Sequence, residues 1–459
     1  MTKKIICRVL RGVGILLGLY LLYTALTCTL VPLAHPAQAP ELPAAAEPTE
    51  TRVRCIDDNG EALLFRLKLI EEAKEEIILA SFDLRDDTSG TDILSALYAA
   101  ADRGVQVRIL LDGLNGDIHL RHSATFRCLA AHENVEVRFY NPFSLFLPYK
   151  INYRMHDKYL IADKSLCILG GRNTNDLFLG DYADTYNIDR DILLYAPEGG
   201  GVVQDVRGYF EAIYALPASR PFGRERHREK AAEALRGRYA ELRELYPAAF
   251  SGTDYAAATL PTDQVRLLTN PQNDGNKYPL LWEALCREME QGENILIQTP
   301  YIICNERMYA DLAALTAGGR QVRVLTNAVE NGANPWGCSD LLREKDHLLS
   351  LGIGLYETIC NQSLHTKTIL IDHDLSIVGS FNADMRSAYL DTELMLCIQG
   401  QEVNRTLREA TAPLLEQSVL SENGTVTPGA DYVYRDLPAG KWFVYRLLSV
   451  LLRPFRQLL

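Results

Sequence analysis

Apolar and polar positions in this chain follow a pattern that occurs twice. In the first half, Glu76-Ile-Ile-Leu-Ala-Ser81 is followed by a helical stretch and then by Gln106-Val-Arg-Ile-Leu110. In the second half, Asn294-Ile-Leu-Ile-Gln-Thr299, a helical stretch and Gln321-Val-Arg-Val-Leu325 repeat it. Short apolar runs separated by helix-period segments predict buried strands alternating with helices. Two further pairs of runs follow. Tyr159-Leu-Ile-Ala162 and Leu166-Cys-Ile-Leu169 in the first half match Thr368-Ile-Leu-Ile371 and Leu375-Ser-Ile-Val378 in the second. The expected fold is α/β: two tandem halves with largely parallel central sheets, related by a pseudo-twofold axis.

The termini follow a different pattern. No Asp, Glu, Lys or Arg lies between Gly12 and Pro36, and Val13–Leu33 is long enough to cross about 30 Å of hydrocarbon as a helix. Lys3, Lys4, Arg8 and Arg11 precede it, and Glu41, Glu47 and Glu50 follow. The excess of basic residues on one side predicts a single-pass anchor in the cell membrane, with a cytoplasmic N terminus and an extracytoplasmic catalytic domain. A cleavable signal peptide is the alternative, with Ala37-Gln38-Ala39 as its candidate site, although Pro40 is a poor residue to follow a cut. Residues 34–50, rich in Pro and Ala, read as a tether. The stretch from Lys441 to Arg453 is apolar with basic punctuation and suits a helix lying in the membrane interface or packed on the core. The apolar loop Phe143-Ser-Leu-Phe-Leu-Pro-Tyr149 is a candidate for admitting acyl chains, or for burial. The organisation expected is an anchor and tether (1–50), a first half (51–222), a charged helical connector (223–262), a second half (263–430) and an amphipathic basic segment (431–459).

The chemistry sits on the duplicated apolar runs. His156, Lys158 and Asp163 spell HxKxxxxD, and His365, Lys367 and Asp372 spell it again. After the same gap of six residues come Gly170-Gly171-Arg172-Asn173 and Gly379-Ser380-Phe381-Asn382. One HxK is commonplace; two copies with matched downstream spacing are not. In an extended segment, residues i and i+2 share a face, so each copy presents an imidazole beside an ammonium. Two such sets suit a phosphodiester held between two histidines. A neutral imidazole attacks phosphorus, and an imidazolium on the far side protonates the leaving alkoxide. Lys158, Lys367, Asn173 and Asn382 would offset charge on the non-bridging oxygens.

These stretches, with Asn141-Pro-Phe143, Arg154-Met-His156 and Asn382-Ala-Asp-Met-Arg-Ser387, resemble the phospholipase D superfamily over nearly everything beyond residue 50. The likeness is closer to bacterial cardiolipin synthases of the phospholipase D type. The resemblance implies two α/β halves whose motifs meet at a central cleft, a covalent phosphohistidine intermediate, and neither metal nor cofactor. It makes His156, Lys158, Asp163, His365, Lys367 and Asp372 the catalytic candidates, with His156 as nucleophile and His365 as acid/base. Asp163 and Asp372 are expected to brace turns rather than touch substrate. Asn173, Asn382, Gly171 and Ser380 are the substrate-binding candidates. Glu393 and Asp191 (alternatively Asp189) stand where the family places carboxylates that orient the histidines. Gly171 replaces a serine found in many relatives, and Asp391 replaces an asparagine, which raises the prospect of repulsion between Asp391 and an anionic headgroup.

Composition narrows the options. With 459 residues and 47% hydrophobic content, the chain can bury one large core or two fused ones, and a net charge of −12 argues against nucleic acid as a partner. The ten cysteines contain no CxxC pair, and His119 and His122 have no companion ligands, so buried thiols and ordinary histidines are expected. The partners expected are a phospholipid membrane, phosphatidylglycerol and, as a candidate second donor, phosphatidylethanolamine; oligomeric order is left open. The function expected is transfer of a phosphatidyl group to phosphatidylglycerol to make cardiolipin. Hydrolysis to phosphatidic acid, phosphodiester or nucleic-acid cleavage, and an inactive membrane scaffold are the alternatives.

Overall fold

A computed structural model describes the protein except residues 1, 35, 37, 41–46, 224–227 and 333, and the side chains of residues 2–4. Ala37 of the candidate cleavage site, Glu41 and the side chains of Lys3 and Lys4 thus lie outside the described residues. Each half contains a nine-stranded sheet. In the first, Glu76–Ser81, Gln106–Asp112 and Val135–Tyr140 run parallel; in the second, Asn294–Gln298, Gln321–Asn327 and Gly354–Thr358 do. The remaining neighbours are antiparallel, so the sheets are mixed rather than largely parallel. The reason is local. Lys158–Ala162 and Leu166–Gly170 are joined by a tight turn at Asp163, where φ is +53°, and Thr368–Ile371 and Leu375–Gly379 by one at Asp372, where φ is +43°. Turns this short can only join antiparallel strands.

The apolar core has three layers, and the middle one joins the halves. Helices Asn59–Glu72, Thr88–Asp102 and Glu229–Leu245 cover the outer face of the first sheet, and Leu280–Met289, Glu306–Ala317 and Pro335–Ser350 cover that of the second. Between the sheets, Ile161, Leu169 and Leu194 of the first share a core with Leu370, Val378 and Leu396 of the second, together with helices Gly201–Tyr214 and Gln401–Glu416. The motif strands are buried on both faces, which accounts for their unbroken apolar runs. The region expected as a connector belongs physically to the first half. Glu229–Leu245 packs on Thr88–Asp102, and Leu260–Pro261 pairs with Arg52–Ile56 at the sheet edge.

Helix Thr2–Leu30 is long and apolar enough, through Leu33, to cross a membrane. At the other end, Ala439–Leu451 buries Tyr445 and Ser449 against the rest of the protein, packs on Pro335–Ser350, and leaves its opposite face exposed. The ten cysteines are unbridged and seven are buried.

Candidate active site

The second-half motif is clamped by backbone from the first half, and the reverse also holds. His156 N donates to Thr392 Oγ1 (3.1 Å), and Thr392 N donates to Arg154 O (3.0 Å). His365 N donates to Ile188 O (2.7 Å), where Ser363–Leu364 pairs with Asn187–Ile188. Thr392 and Ile188 each immediately precede a buried carboxylate, Glu393 and Asp189. Both carboxylates therefore reach across the interface. Glu393 Oε1 lies 2.9 Å from His156 Nδ1, and Asp189 Oδ2 lies 2.6 Å from His365 Nδ1. A carboxylate on Nδ1 selects the tautomer with its proton there and leaves Nε2 for chemistry. Each imidazole also meets a phenylalanine edge-on, Phe82 at 4.7 Å and Phe178 at 5.0 Å between ring centroids.

Asp191 does not orient a histidine. Its carboxylate pairs with Arg66 (2.9 Å) and Arg172 (3.3 Å) inside the first half. Strand register shows why Asp189 has the other position. Gly170 faces Asp191 and Gly379 faces Met395, so the residue equivalent to Glu393 lies two before Asp191. Aligning Asp189-Arg-Asp-Ile with Glu393-Leu-Met-Leu carries that signal in the sequence.

The two carboxylates are held differently. Glu393 accepts from the hydroxyls of Ser380 and Ser387, the latter at 2.7 Å. Ser380 thus anchors a carboxylate and does not face substrate. In the first half no hydroxyl is missing from the phosphate pocket, because Asp189 fills the space. A Cβ on Gly171 would lie 2.3 Å from Asp189 Oδ1.

Both histidines, Asn173 and Asn382 line one cavity of about 440 Å³, within the range of small-ligand sites. Asn382 Nδ2 donates to the Tyr301 hydroxyl (3.1 Å) and keeps a second N–H, while Oδ1 of both asparagines is buried without a protein partner. Tyr301, Asn327, Asn334 and Trp336 form a wall from the second half that no motif announced. Lys158 and Lys367 are buried and do not line the cavity. Each ammonium donates to the carbonyl of its own motif histidine, 2.5 Å in the case of Lys158, and Lys367 Nζ also approaches both nitrogens of the His365 ring. The imidazoles themselves precede their strands, which begin at Lys158 and Thr368. Asp163 and Asp372 sit at the far strand ends, outside the cavity. Asp163 accepts from the amides of Lys74, Glu75 and Glu76, and Asp372 from those of Glu293 and Asn294.

Electrostatics separate the two histidines. Burial, then Lys158 and Lys367, pushes His156 well below the imidazole range. Burial and Lys367 hold His365 down to about 4. Both are thus neutral near pH 7 in the substrate-free site. Burial brings Lys158 down to about 7 and Lys367 to about 8. Glu393 is raised well above the carboxylate range by burial. Asp189, buried as deeply, is held below that range by Lys367, His365 and Arg172. One imidazole is therefore backed by an ionised carboxylate, the other by a group with high proton affinity. Asp391 lies on the cavity wall, but Arg386 (3.1 Å) and the Arg154 amide (3.2 Å) occupy its Oδ1, which limits repulsion of an anion.

Cardiolipin synthase C of Escherichia coli K12 is 29% identical over 392 residues, covering 75% of this chain and 81% of that protein. An uncharacterised protein of Helicobacter pylori is 26% identical over 414 residues, covering 81% and 80%. The crystal structure of phosphatidylserine synthase from Haemophilus influenzae Rd KW20 shares the fold at a TM-score of 0.63 and 14% identity, covering 90% of this chain and 97% of that one. A family model described as cardiolipin synthase, PLD-like domain, matches residues 67–214 and 285–413, more than half of the chain, and the protein belongs to that family.

Proposed function

We propose that the protein is a membrane-anchored phosphatidyltransferase that makes cardiolipin through a phosphohistidine. The observation that carries this reading is the pair of imidazoles on one cavity, each with Nδ1 held by a carboxylate from the opposite half. His156 is the nucleophile: its Nε2 attacks phosphorus of a bound phospholipid while Glu393 takes up charge developing at Nδ1. His365 is the acid/base. It is neutral in the empty site, and an anionic diester beside it favours its protonation, with ionised Asp189 supporting the imidazolium. The phosphorus–oxygen bond to the donor headgroup breaks, and His365 gives its proton to the departing alkoxide. A glycerol hydroxyl of phosphatidylglycerol then returns a proton to His365 and attacks phosphorus. The phosphorus–nitrogen bond breaks, and cardiolipin and free His156 result. The asparagine amides line the space for the non-bridging oxygens, and the lysines supply positive potential from behind.

The basic residues before the N-terminal helix favour a cytoplasmic N terminus and a catalytic domain on the other side of the membrane. The test uses full-length protein in mixed micelles with phosphatidylglycerol alone, then with added phosphatidylethanolamine. Cardiolipin with stoichiometric glycerol is expected from the first; ethanolamine release only from the mixture would identify a second donor. Phosphatidic acid without cardiolipin would show that water is the acceptor and overturn transfer. His156→Ala is expected to abolish turnover with the fold intact by circular dichroism; undiminished activity would refute the phosphohistidine at His156.

A further inference from the structure

The N-terminal helix does not hang from the globular body on a tether; it is fixed to it along its second half. Tyr20 and Tyr23 hydroxyls donate to the carbonyls of Leu145 (3.0 Å) and Phe146 (2.9 Å). Asn152 Nδ2 donates to Cys28 O (2.9 Å), Asn276 Nδ2 donates to Val31 O and Ala34 O (2.7 Å each), and Pro32 is buried. These bonds constrain depth. Starting from Gly12, a crossing of about 30 Å takes about 20 residues and ends near Val31, beyond both tyrosines. Even a crossing that starts at Ile5, with Arg8 and Arg11 reaching back to the surface, ends near Thr24. In either placement Tyr23, and the loop it holds, lies at or inside the edge of the leaflet.

That loop is built for such a place. Phe146 is 86% exposed, Leu145 60% and Phe143 53%. The C-terminal helix Ala439–Leu451 adds a second unpartnered apolar face. Phe443, Leu447, Val450 and Leu451 point away from buried Tyr445 and Ser449, with Lys441, Arg446 and Arg453 as basic punctuation. The turn after this helix, Arg453–Leu458, packs against Val31–Leu33, the exit of the N-terminal helix. Arg386, on the cavity wall, connects these elements: it donates to Leu458 O (3.1 Å) and to Asn152 O (2.8 Å), and Asn152 itself bonds the N-terminal helix.

We propose that the Phe143–Phe146 loop and the outward face of Ala439–Leu451 enter the leaflet on the catalytic-domain side, so that three elements seat the body on the bilayer. The occupant of both apolar faces is phospholipid. Apolar side chains continue a helix that is itself membrane-spanning by composition, and basic residues border them where phosphates lie. This seating puts the Arg386 side of the cavity at headgroup level, so that a lipid reaches the histidines without leaving the membrane. That last consequence rests on the phosphatidyltransferase reading; the insertion itself does not.

The test is quenching of tryptophan fluorescence in vesicles of phosphatidylglycerol and phosphatidylcholine that carry bromine on their acyl chains, using the full chain. Phe146→Trp is made in a Trp442→Phe background, with Val426→Trp, on the exposed edge strand Thr425–Pro428 of the second sheet, as control. Bromine is expected to reduce the emission added by Phe146→Trp at least twofold and to leave that added by Val426→Trp unchanged. Phe443→Trp, on the outward face of Ala439–Leu451, is expected to be quenched in the same way in that background. No quenching of Phe146→Trp or of Phe443→Trp overturns the proposal, as does quenching of neither with crosslinks between copies, which would make the patch a homotypic interface. The readout needs no turnover, so a failed cardiolipin assay with positive quenching would remove only the reaction. Phe143→Ser/Phe146→Ser is expected to lower the rate on vesicles tenfold or more while sparing monomeric short-chain phosphatidylglycerol; equal losses on both substrates would also count against membrane seating.

Discussion

Asp189 and Asp191 are the same residue type, two positions apart and both fully buried, yet they should fail in opposite ways when changed to asparagine. Asp189 Oδ2 lies 2.6 Å from His365 Nδ1, and its ionised form is what makes an imidazolium tolerable in a buried site. Asparagine keeps the shape and removes the charge. A hydrogen bond to a charged group contributes about 1.5–3 kcal/mol, so the acid/base step should slow about 10- to 150-fold. Asp191 touches neither histidine, and it neutralises Arg66 and Arg172 instead. Removing one partner of a buried ion pair destabilises by about 3 kcal/mol or more, enough to lower Tm by about 5 °C. The assay is kcat per folded molecule alongside thermal melts for both variants. Asp189→Asn should show a kcat loss with a small change in Tm, and Asp191→Asn the reverse. If Asp191→Asn loses kcat while fully folded, or Asp189→Asn keeps it, the assignment of the orienting carboxylate is refuted.

Three further outcomes are expected. Gly171→Ala should lose activity about as much as Asp189→Asn, since its Cβ would sit 2.3 Å from Asp189 Oδ1, and the double variant should be no worse than either single; additive losses in kcat would mean that Gly171 acts elsewhere. Asp163→Ala should leave kcat unchanged in the folded fraction but lower the urea midpoint, because three backbone amides lose their acceptor at a positive-φ turn. Because the mechanism needs His365 protonated and the free enzyme holds it down to about 4, the imidazole limb of kcat/KM should lie near 4 rather than 6.5, and the fall should steepen as pH rises through about 7 to 8, where Lys158 and Lys367 lose their protons. Bound anionic lipid favours the charged lysines, so the same limb in kcat should lie at higher pH. A kcat/KM that shows no such steepening up to about pH 9.5 would show that the ammoniums stay charged in the free enzyme.

The motifs and the duplication were legible because they are periodic and local. Lys158–Ala162 and Thr368–Ile371 are continuous apolar runs next to polar triplets, and a repeat doubles the signal. The mixed sheet was missed because apolar runs report burial on both faces but not direction; the two tight turns at Asp163 and Asp372 decide direction, and both are positive-φ sites occupied by a residue that tolerates them. The doubled motif and strand alternation set each lysine beside its imidazole; the fold adds that the ammoniums donate to the His156 and His365 carbonyls, a contact no sequence pattern shows. The wall from Pro300 to Leu341 was invisible because its residues meet the histidines only through tertiary packing.

Asp189 shows the limit most clearly. Nothing within its own half calls for its carboxylate on His156, because Asp191 already pairs two arginines there and Glu393 serves that histidine. Its role exists only across the interface. The same holds for Glu393, whose carboxyl is gripped by Ser380 and Ser387 of the second half but directed at the histidine of the first. Neither half can orient its own imidazole. Duplication therefore does more than double a binding surface. In the proposed mechanism each half supplies the attacking or protonating nitrogen and, for the other half's imidazole, the carboxylate at Nδ1, so that the pair would form only when the shared core between the sheets is closed. A lesion in that core, such as Leu370→Ala or Leu194→Ala, removes packing between the sheets that hold both histidine–carboxylate bonds at once. It should therefore depress activity before the rest of either half unfolds. Protection of the two imidazoles from hydrogen–deuterium exchange at carbon should fall in parallel with kcat. Loss of kcat with both rings still fully protected would separate the chemistry from the interface.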